Sequence, residues 1–215
     1  MSARSVFVAG GTGYVGSRLI PELIARGHRV TAVARSGSEK KLPAGCVAVA
    51  GDVLNAGTYA ASVNPGDAFV QLVGVAHPSP AKAKEFVSID RRSAMESIRI
   101  ASDREVGHFV YVSVAHPAPA MHAYIAVRSE CEDALRASGL RATILRPWYV
   151  LGPGHYWPYA LKPFYWIAER IPSTAEGAKR LGLVTIDQIV RALANAVDSP
   201  PEGSRIVDVT AIRAS

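Results

Sequence analysis

The chain has 215 residues, 49% of them apolar and 20% charged, with a formal net charge of +6. That is the balance of a globular protein with a substantial core, and no apolar run reaches the roughly 20 residues needed to span a bilayer. The basic residues are scattered apart from the pairs Lys40-Lys41 and Arg91-Arg92, with no basic helix and no aromatic-basic interleaving, which argues against a nucleic-acid partner.

A mildly positive cleft for phosphorylated ligands fits the charge equally well. The N-terminal MSARSVFVAGG enters a strand-like run at once, leaving no room for the apolar region of a signal peptide. Cys46 and Cys131 have no metal-ligand spacing and suggest no disulfide framework. The expectation is a cytoplasmic protein with no metal site, either monomer or homodimer.

Val6 to Ala9 is a short continuous apolar run, as in a strand buried on both faces. Val15, Leu19, Leu23 and Ile24 follow at helical spacing, and Gly27 stands where a helix ends. Pro21 leaves the Ser17 carbonyl without its usual partner, which predicts a kink or a displaced helix start. Between strand and helix lies the strongest local signal, VFVAGGTGYVGSRL, with Gly10, Gly13 and Gly16 in a GxxGxxG pattern. Glycines at that junction let a pyrophosphate approach the backbone, while the helix N-terminus supplies free N–H groups. The candidate cofactor contacts here are Gly10, Gly11, Thr12, Gly13, Tyr14, Val15 and Gly16.

The second strand is Val30 to Ala34, and its end reads Arg35-Ser36 with no acid before Glu39. An NAD site places a carboxylate there for the ribose hydroxyls, whereas an arginine can fork onto a 2′-phosphate. NADP(H) is therefore favoured over NAD(H). Further strands are Val47 to Ala50, Ala68 to Val73, Phe109 to Val112 and Ala142 to Leu145, with helices over Lys84 to Ser102 and His122 to Ser138. This alternation predicts an α/β fold, a single Rossmann-type, doubly wound parallel sheet with helices on both faces and a small C-terminal cap region. After Arg146 the chain turns rich in proline, glycine and aromatics, so residues 147–183 read as a short substrate-side insertion within one domain, 1–215. Val184 to Ile186, with Asp187 as N-cap, begins a last helix reaching about Val197.

HAYIAVRSE places Tyr124 and Arg128 four residues apart on one helix face. With the motifs above, that pair makes the chain resemble the short-chain dehydrogenase/reductase superfamily, in its extended and atypical branches. These include the NAD-dependent epimerase/dehydratase and NmrA-like proteins. The resemblance covers nearly the whole sequence. GGTGYVG is the glycine motif of those branches. GDV implies that Asp52 bonds the adenine and Val53 packs on it. QLVGVAH, with Val73 and Gly74, occupies the strand end beside the cofactor ribose. RPWYV, Arg146 to Val150, resembles the loop whose Pro147, Trp148, Tyr149 and Val150 border the nicotinamide. Ser113 in YVSVA lies eleven residues before Tyr124, near the family's spacing.

The resemblance implies Tyr124 as general acid or base and Ser113 as holder of the substrate oxygen. The family's lysine, four residues after the tyrosine, binds the nicotinamide ribose and lowers the tyrosine pKa; here Arg128 stands in its place. Guanidinium keeps its proton, so it can hold charge but relays protons poorly. Asp90 stands where extended members carry asparagine, and the two changes are expected to pair. About seventy residues follow Arg146, which disfavours a bulky nucleotide-sugar substrate. The leading expectation is an NADP-dependent oxidoreductase reducing a small carbonyl- or quinone-like compound. A sensor or accessory subunit that binds NADPH without turnover is the second reading. A flavin-reductase-like enzyme using Trp148, Tyr149, Tyr156 and Trp157 is the third. His77, His116 and His122 are candidate substitutes in proton transfer.

Overall fold

Side chains alternate across a strand, so a strand that is apolar at every position needs cover on both faces. The first strand, β1 (Ser5–Ala9), meets that condition, with Val6 and Val8 in one core cluster and Phe7 and Ala9 in another. The computed structural model describes residues 3–154, 176–177 and 180–215 and repeats this pattern in the inner strands of a parallel sheet. After β1 come β2 (Arg29–Ala34), β3 (Val47–Ala50), β4 (Ala68–Gln71), β5 (His108–Val112) and β6 (Ala142–Leu145). Strands β7 (Tyr149–Leu151) and β8 (Leu183–Thr185) pair with each other, and β9 (Ser204–Val207) returns to the main sheet. The seven-stranded order is β3-β2-β1-β4-β5-β6-β9, which is the doubly wound Rossmann-type arrangement.

Helices α1 (Gly16–Ala25) and α4 (Ile186–Asp198) cover one face through Leu19, Ile20 and Leu23 and through Ile189, Leu193 and Val197. Helices α2 (Arg92–Asp103) and α3 (His122–Ala137) cover the other through Ile98, Ala101, Val127, Cys131 and Leu135. A short α5 (Val209–Arg213) closes the chain. On the α2/α3 face the register aligns Phe7 with Phe69 and Phe69 with Phe109. Their ring centroids lie 5.2 Å apart at each step, an aromatic ladder across the middle of the sheet. It fixes β4 against β1, where the strand order reverses and a ligand crevice opens at the strands' carboxyl ends. Among the described residues no helix is long and apolar enough to cross a membrane.

Several boundaries differ from the sequence reading. Helix α1 starts at Gly16 and runs unbroken through Pro21, so its start is not displaced. Strand β4 ends at Gln71 and leaves Val73 beyond it. The helix expected over Lys84 to Ser102 contains a π-helical turn, Phe86–Arg91, ahead of α2. The N-cap of α4 is Thr185, not Asp187, because Thr185 and Gln188 close a capping box at 3.2 and 2.8 Å. Of the expected insertion, residues 155–175, with Tyr156 and Trp157, lie outside the described residues.

The aromatic ladder makes a direct test of the core. Phe69 is fully buried, so Phe69→Ala is expected to lower unfolding free energy by about 3–5 kcal/mol in urea denaturation. A loss under about 1 kcal/mol would contradict the packing described.

Candidate functional site

At the carboxyl end of β1 the chain folds back on itself before entering α1. The Gly13 N–H donates to the Gly10 carbonyl at 3.0 Å, and Ser17 N–H to that of Gly13 at 2.9 Å. A Cβ on Gly16 would collide with the Gly10 carbonyl oxygen and come 2.7 Å from the Gly11 Cα, so only glycine lets the helix pack this close. The N-terminus of α1 carries no side-chain cap and no acidic residue in its first turn, leaving its positive dipole end for an anion, although the Ser17, Arg18 and Leu19 N–H groups already donate to Gly13 and Val15. Tyr14 lies under Arg18, whose guanidinium carbon is 4.2 Å from the ring centre.

The other expected cofactor residues lie at the ends of the same strands. Arg35 and Ser36 directly follow β2 and are exposed, and the Arg35 side chain makes no hydrogen bond or ion pair among the described residues. Asp52 is exposed after β3, one carboxylate oxygen accepting from the Leu54 N–H at 2.9 Å, while Val53 packs on the α2/α3-side core. Val73 and Gly74 follow β4. Pro147 is buried after β6, its carbonyl accepting from the Ala115 N–H at 2.8 Å. Trp148 and Tyr149 meet edge to face at 5.5 Å, and Val150 lies in β7. The uncapped helix end, the glycine cradle and the exposed Arg35 are chemically suited to a dinucleotide with a phosphorylated ribose.

Deeper in the crevice, Tyr124 and Arg128 project from α3 into a buried polar cluster. The Arg128 side chain is 5% exposed and Asp90 fully buried; Nη2 donates to Asp90 Oδ1 at 2.5 Å. Nη1 donates to the Val112 carbonyl at 2.8 Å and to the Tyr111 hydroxyl at 3.3 Å. The π-helical turn aims Asp90 at this point, and its second oxygen accepts from the Val75 N–H at 3.0 Å. Gly74 is part of the fit, because a Cβ there would strike the Arg128 guanidinium. The expected pairing of Asp90 with Arg128 is thus present.

The guanidinium carbon lies 5.1 Å from the Tyr124 ring centre and 5.6 Å from that of Tyr111, between two aromatic faces. Phe86 packs on Tyr124 from the other side at 4.9 Å. Burial works against the charge on Arg128, yet Tyr111, Tyr124 and Asp90 outweigh it and hold its pKa well above the ordinary value. Burial also pushes up the Tyr124 phenol; Arg128 pulls back only in part, and Asp90 adds to the rise. Burial raises Asp90 as well, against the pull of Arg128 and the Val75 N–H. Tyr124 is therefore held as a neutral phenol near neutral pH.

Ser113 follows β5 and is buried, but its hydroxyl is already engaged. It donates to Glu132 Oε1 at 2.6 Å. The Glu132 side chain is 1% exposed and also accepts from Arg146 at 3.0 and 2.5 Å and from Arg136 at 2.7 Å. Burial opposes its charge, but the hydrogen bonds from Arg146 and Ser113 prevail and keep its carboxyl below the ordinary value. A serine has one proton, and turning it away from a charged acceptor costs about 1.5–3 kcal/mol. Sequence reasoning missed Glu132, although its place four residues after Arg128 and eight after Tyr124 puts it on the same stripe of α3.

The histidines are peripheral to the Tyr124–Arg128 cluster. His77 is exposed with φ 50°, and His122 is exposed as the first residue of α3. His116 is half-buried, with Nε2 3.6 Å from Glu132. It borders a cleft of about 430 Å³ past the ends of β5, β6 and β9, lined also by Arg146, Ile206 and Asp208. Tyr124 and Arg128 are not among its walls. The described residues hold no cluster suited to a metal ion.

The sheet order and the glycine-loop edge define a Rossmann-type dinucleotide-binding protein. Residues 10–154 match the NAD(P)H-binding family, and the chain belongs to it. A curated relative is divinyl chlorophyllide a 8-vinyl-reductase, chloroplastic, from Oryza sativa subsp. indica, 30% identical over 122 residues. The match covers 52% of this chain and 30% of that protein, so the chain spans under a third of the relative's length. Among solved structures, Bordetella bronchiseptica WbmH in complex with NAD+ superposes with a TM-score of 0.70 at 23% identity, covering 94% of this chain and 75% of that one. The UDP-glucose 4-epimerase of Thermus thermophilus in complex with NAD gives 0.68 at 18% identity, with coverages of 98% and 81%. At such identities the likeness speaks for the fold, which is that of the NAD-dependent epimerase and dehydratase relatives the sequence resembles.

Proposed function

We propose that the chain is an NADP(H)-dependent reductase of a small carbonyl- or quinone-like compound. The observation that carries the reading is the neutral Tyr124 phenol held against the buried Arg128–Asp90 pair in the crevice. When bound, the reduced dinucleotide supplies a hydride. The glycine loop and the open end of α1 hold the pyrophosphate, and Arg35 with Ser36 receives the 2′-phosphate. Tyr124 gives its proton to the reacting oxygen; the raised phenol pKa keeps that proton in place at neutral pH until the developing oxyanion, a stronger base, takes it. Arg128 stabilises the tyrosinate left behind, and water returns the proton. With its charge permanently in place, the arginine supplies electrostatics without taking part in proton exchange. The relative's name, a vinyl-reductase, supports reduction as the class of reaction.

The engagement of Ser113 by Glu132 favours one variant of this reading, the flavin-reductase-like route, in which no protein hydroxyl need assist the acceptor. Tyr124→Phe separates the two. If the phenol is the acid, the substitution lowers the turnover of NADPH with carbonyl or quinone acceptors by about 10²- to 10⁴-fold. NADPH affinity, followed by its fluorescence, stays within about threefold. Unaltered turnover in Tyr124→Phe would remove the phenol from the mechanism and leave the flavin-type route.

The cofactor preference has its own test. Arg35→Ala is expected to weaken NADPH by about 10- to 100-fold, the worth of a charge-assisted contact, while NADH affinity hardly changes. Equal affinities for the two dinucleotides in the unaltered protein would contradict the assignment.

A further inference from the structure

We infer that Glu132 is a positioning residue that withholds the Ser113 proton from the reacting centre, so that the substrates favoured are conjugated, quinone-like acceptors rather than simple aldehydes or ketones. The inference rests on the reductase reading above and deepens it by naming the substrate class.

Three observations carry it. The Ser113 hydroxyl donates to Glu132 at 2.6 Å, and a hydroxyl has no second proton to offer. Glu132 is not free to release it, since Arg146 and Arg136 bind both carboxylate oxygens and anchor the group between α3 and the end of β6. Tyr124 and Glu132 stand two helical turns apart on α3, with Arg128 between them, so one helix positions the donor that remains and the acceptor that occupies Ser113. Tyr124 is thus the hydroxyl left to meet the reacting oxygen.

The chemistry of the acceptor decides what one donor can support. Reduction of an aldehyde concentrates negative charge on a single oxygen, and such an oxyanion ordinarily draws on more than one aligned donor. Losing one costs about 10²- to 10³-fold in rate. In a quinone the charge spreads over the ring and the second oxygen as the ring becomes aromatic, so less stabilisation is required at any one atom.

The test uses the full chain with NADPH and two probe acceptors, menadione and benzaldehyde. The inference predicts a kcat/KM for menadione at least about 100-fold above that for benzaldehyde. Glu132→Gln replaces a charged acceptor by a neutral one with roughly half the hold on the serine proton. It is expected to raise benzaldehyde kcat by about 3- to 10-fold while the menadione value stays within about threefold. Adding Ser113→Ala to Glu132→Gln then abolishes the gain, which a merely structural role for Glu132 would not do. Should Glu132→Gln fail to fold, Ser113→Ala alone decides. Benzaldehyde turnover falls by no more than about threefold if the serine is withheld, and by about 10²-fold or more if it is a working donor. Equal use of both acceptors, or a gain that survives removal of Ser113, would overturn the inference. Failure to oxidise NADPH with either acceptor would instead sink the reductase reading on which it rests. Binding of 4-nitrophenol without NADPH, followed by its colour change, gives a readout independent of turnover: its affinity is expected to fall in Tyr124→Phe and not in Ser113→Ala.

Discussion

The ion pair between Arg128 and Asp90 is the constraint around which this end of the molecule is arranged. A guanidinium and a carboxylate removed from water lose several kcal/mol each in hydration, and the loss is offset only where geometry is close and the remaining atoms are satisfied. Here the carboxylate also accepts from the backbone of Val75, and the guanidinium also donates to Val112 and Tyr111, while Arg128 Nε is buried with no hydrogen-bond partner among the described residues. Four segments therefore meet at one charge pair: the loop after β4, the π-helical turn before α2, the end of β5 and the first half of α3. Taking away one partner of such a pair typically costs about 3–5 kcal/mol, because the other is left buried and uncompensated. The absence of a side chain on Gly74 follows from the same pair, since any Cβ there would occupy the guanidinium's place.

Tyr124, Arg128 and Glu132 lie at intervals of four on α3, so a single straight helix spaces two polar networks along the strand ends. The first holds the phenol between Arg128 and Phe86. The second ties Ser113 to Glu132 and Arg146, joining the ends of β5 and β6. Both are buried, and in both the low-dielectric surroundings raise the worth of each satisfied contact and the cost of each lost one. In the first network burial outweighs the positive charge of the arginine, and the phenol stays protonated. In the second the arginines prevail, and the carboxylate stays charged. A phenol held neutral and a carboxylate held ionised thus stand a short helical distance apart on α3.

Much of the frame is legible in the amino-acid sequence because its cause is local. The run Val6 to Ala9 reads as a doubly covered strand, and the three glycines read as a tight turn between strand and helix. The pairing of Asp90 with Arg128 is also anticipated, since both depart from the same pattern and their charges are opposite. Less legible are features whose cause is tertiary. β9 (Ser204–Val207) is a polar edge strand with most of its residues exposed, so it shows no apolar run, and only pairing with β6 defines it. The π-helical turn leaves no mark in composition, yet it sets the direction of Asp90. Glu132 reads as one more charged residue on a helix until Ser113 and Arg146 are brought to it. Thr185 and Gln188, by contrast, spell a capping box that sequence alone suffices to find.

The central claim is that Tyr124 stands as an acid, kept neutral by burial in spite of the arginine beside it. Ultraviolet difference absorbance, which reads phenolate directly, tests this when the protein is titrated with base alongside Tyr124→Phe. The difference between the two curves isolates one tyrosine. The claim predicts that this tyrosine remains a phenol through neutral pH and ionises only above its ordinary value of 10.0. A phenolate that forms near about pH 7 and is missing from Tyr124→Phe would contradict it, and would assign to Arg128 the full pKa-lowering role of the lysine it replaces.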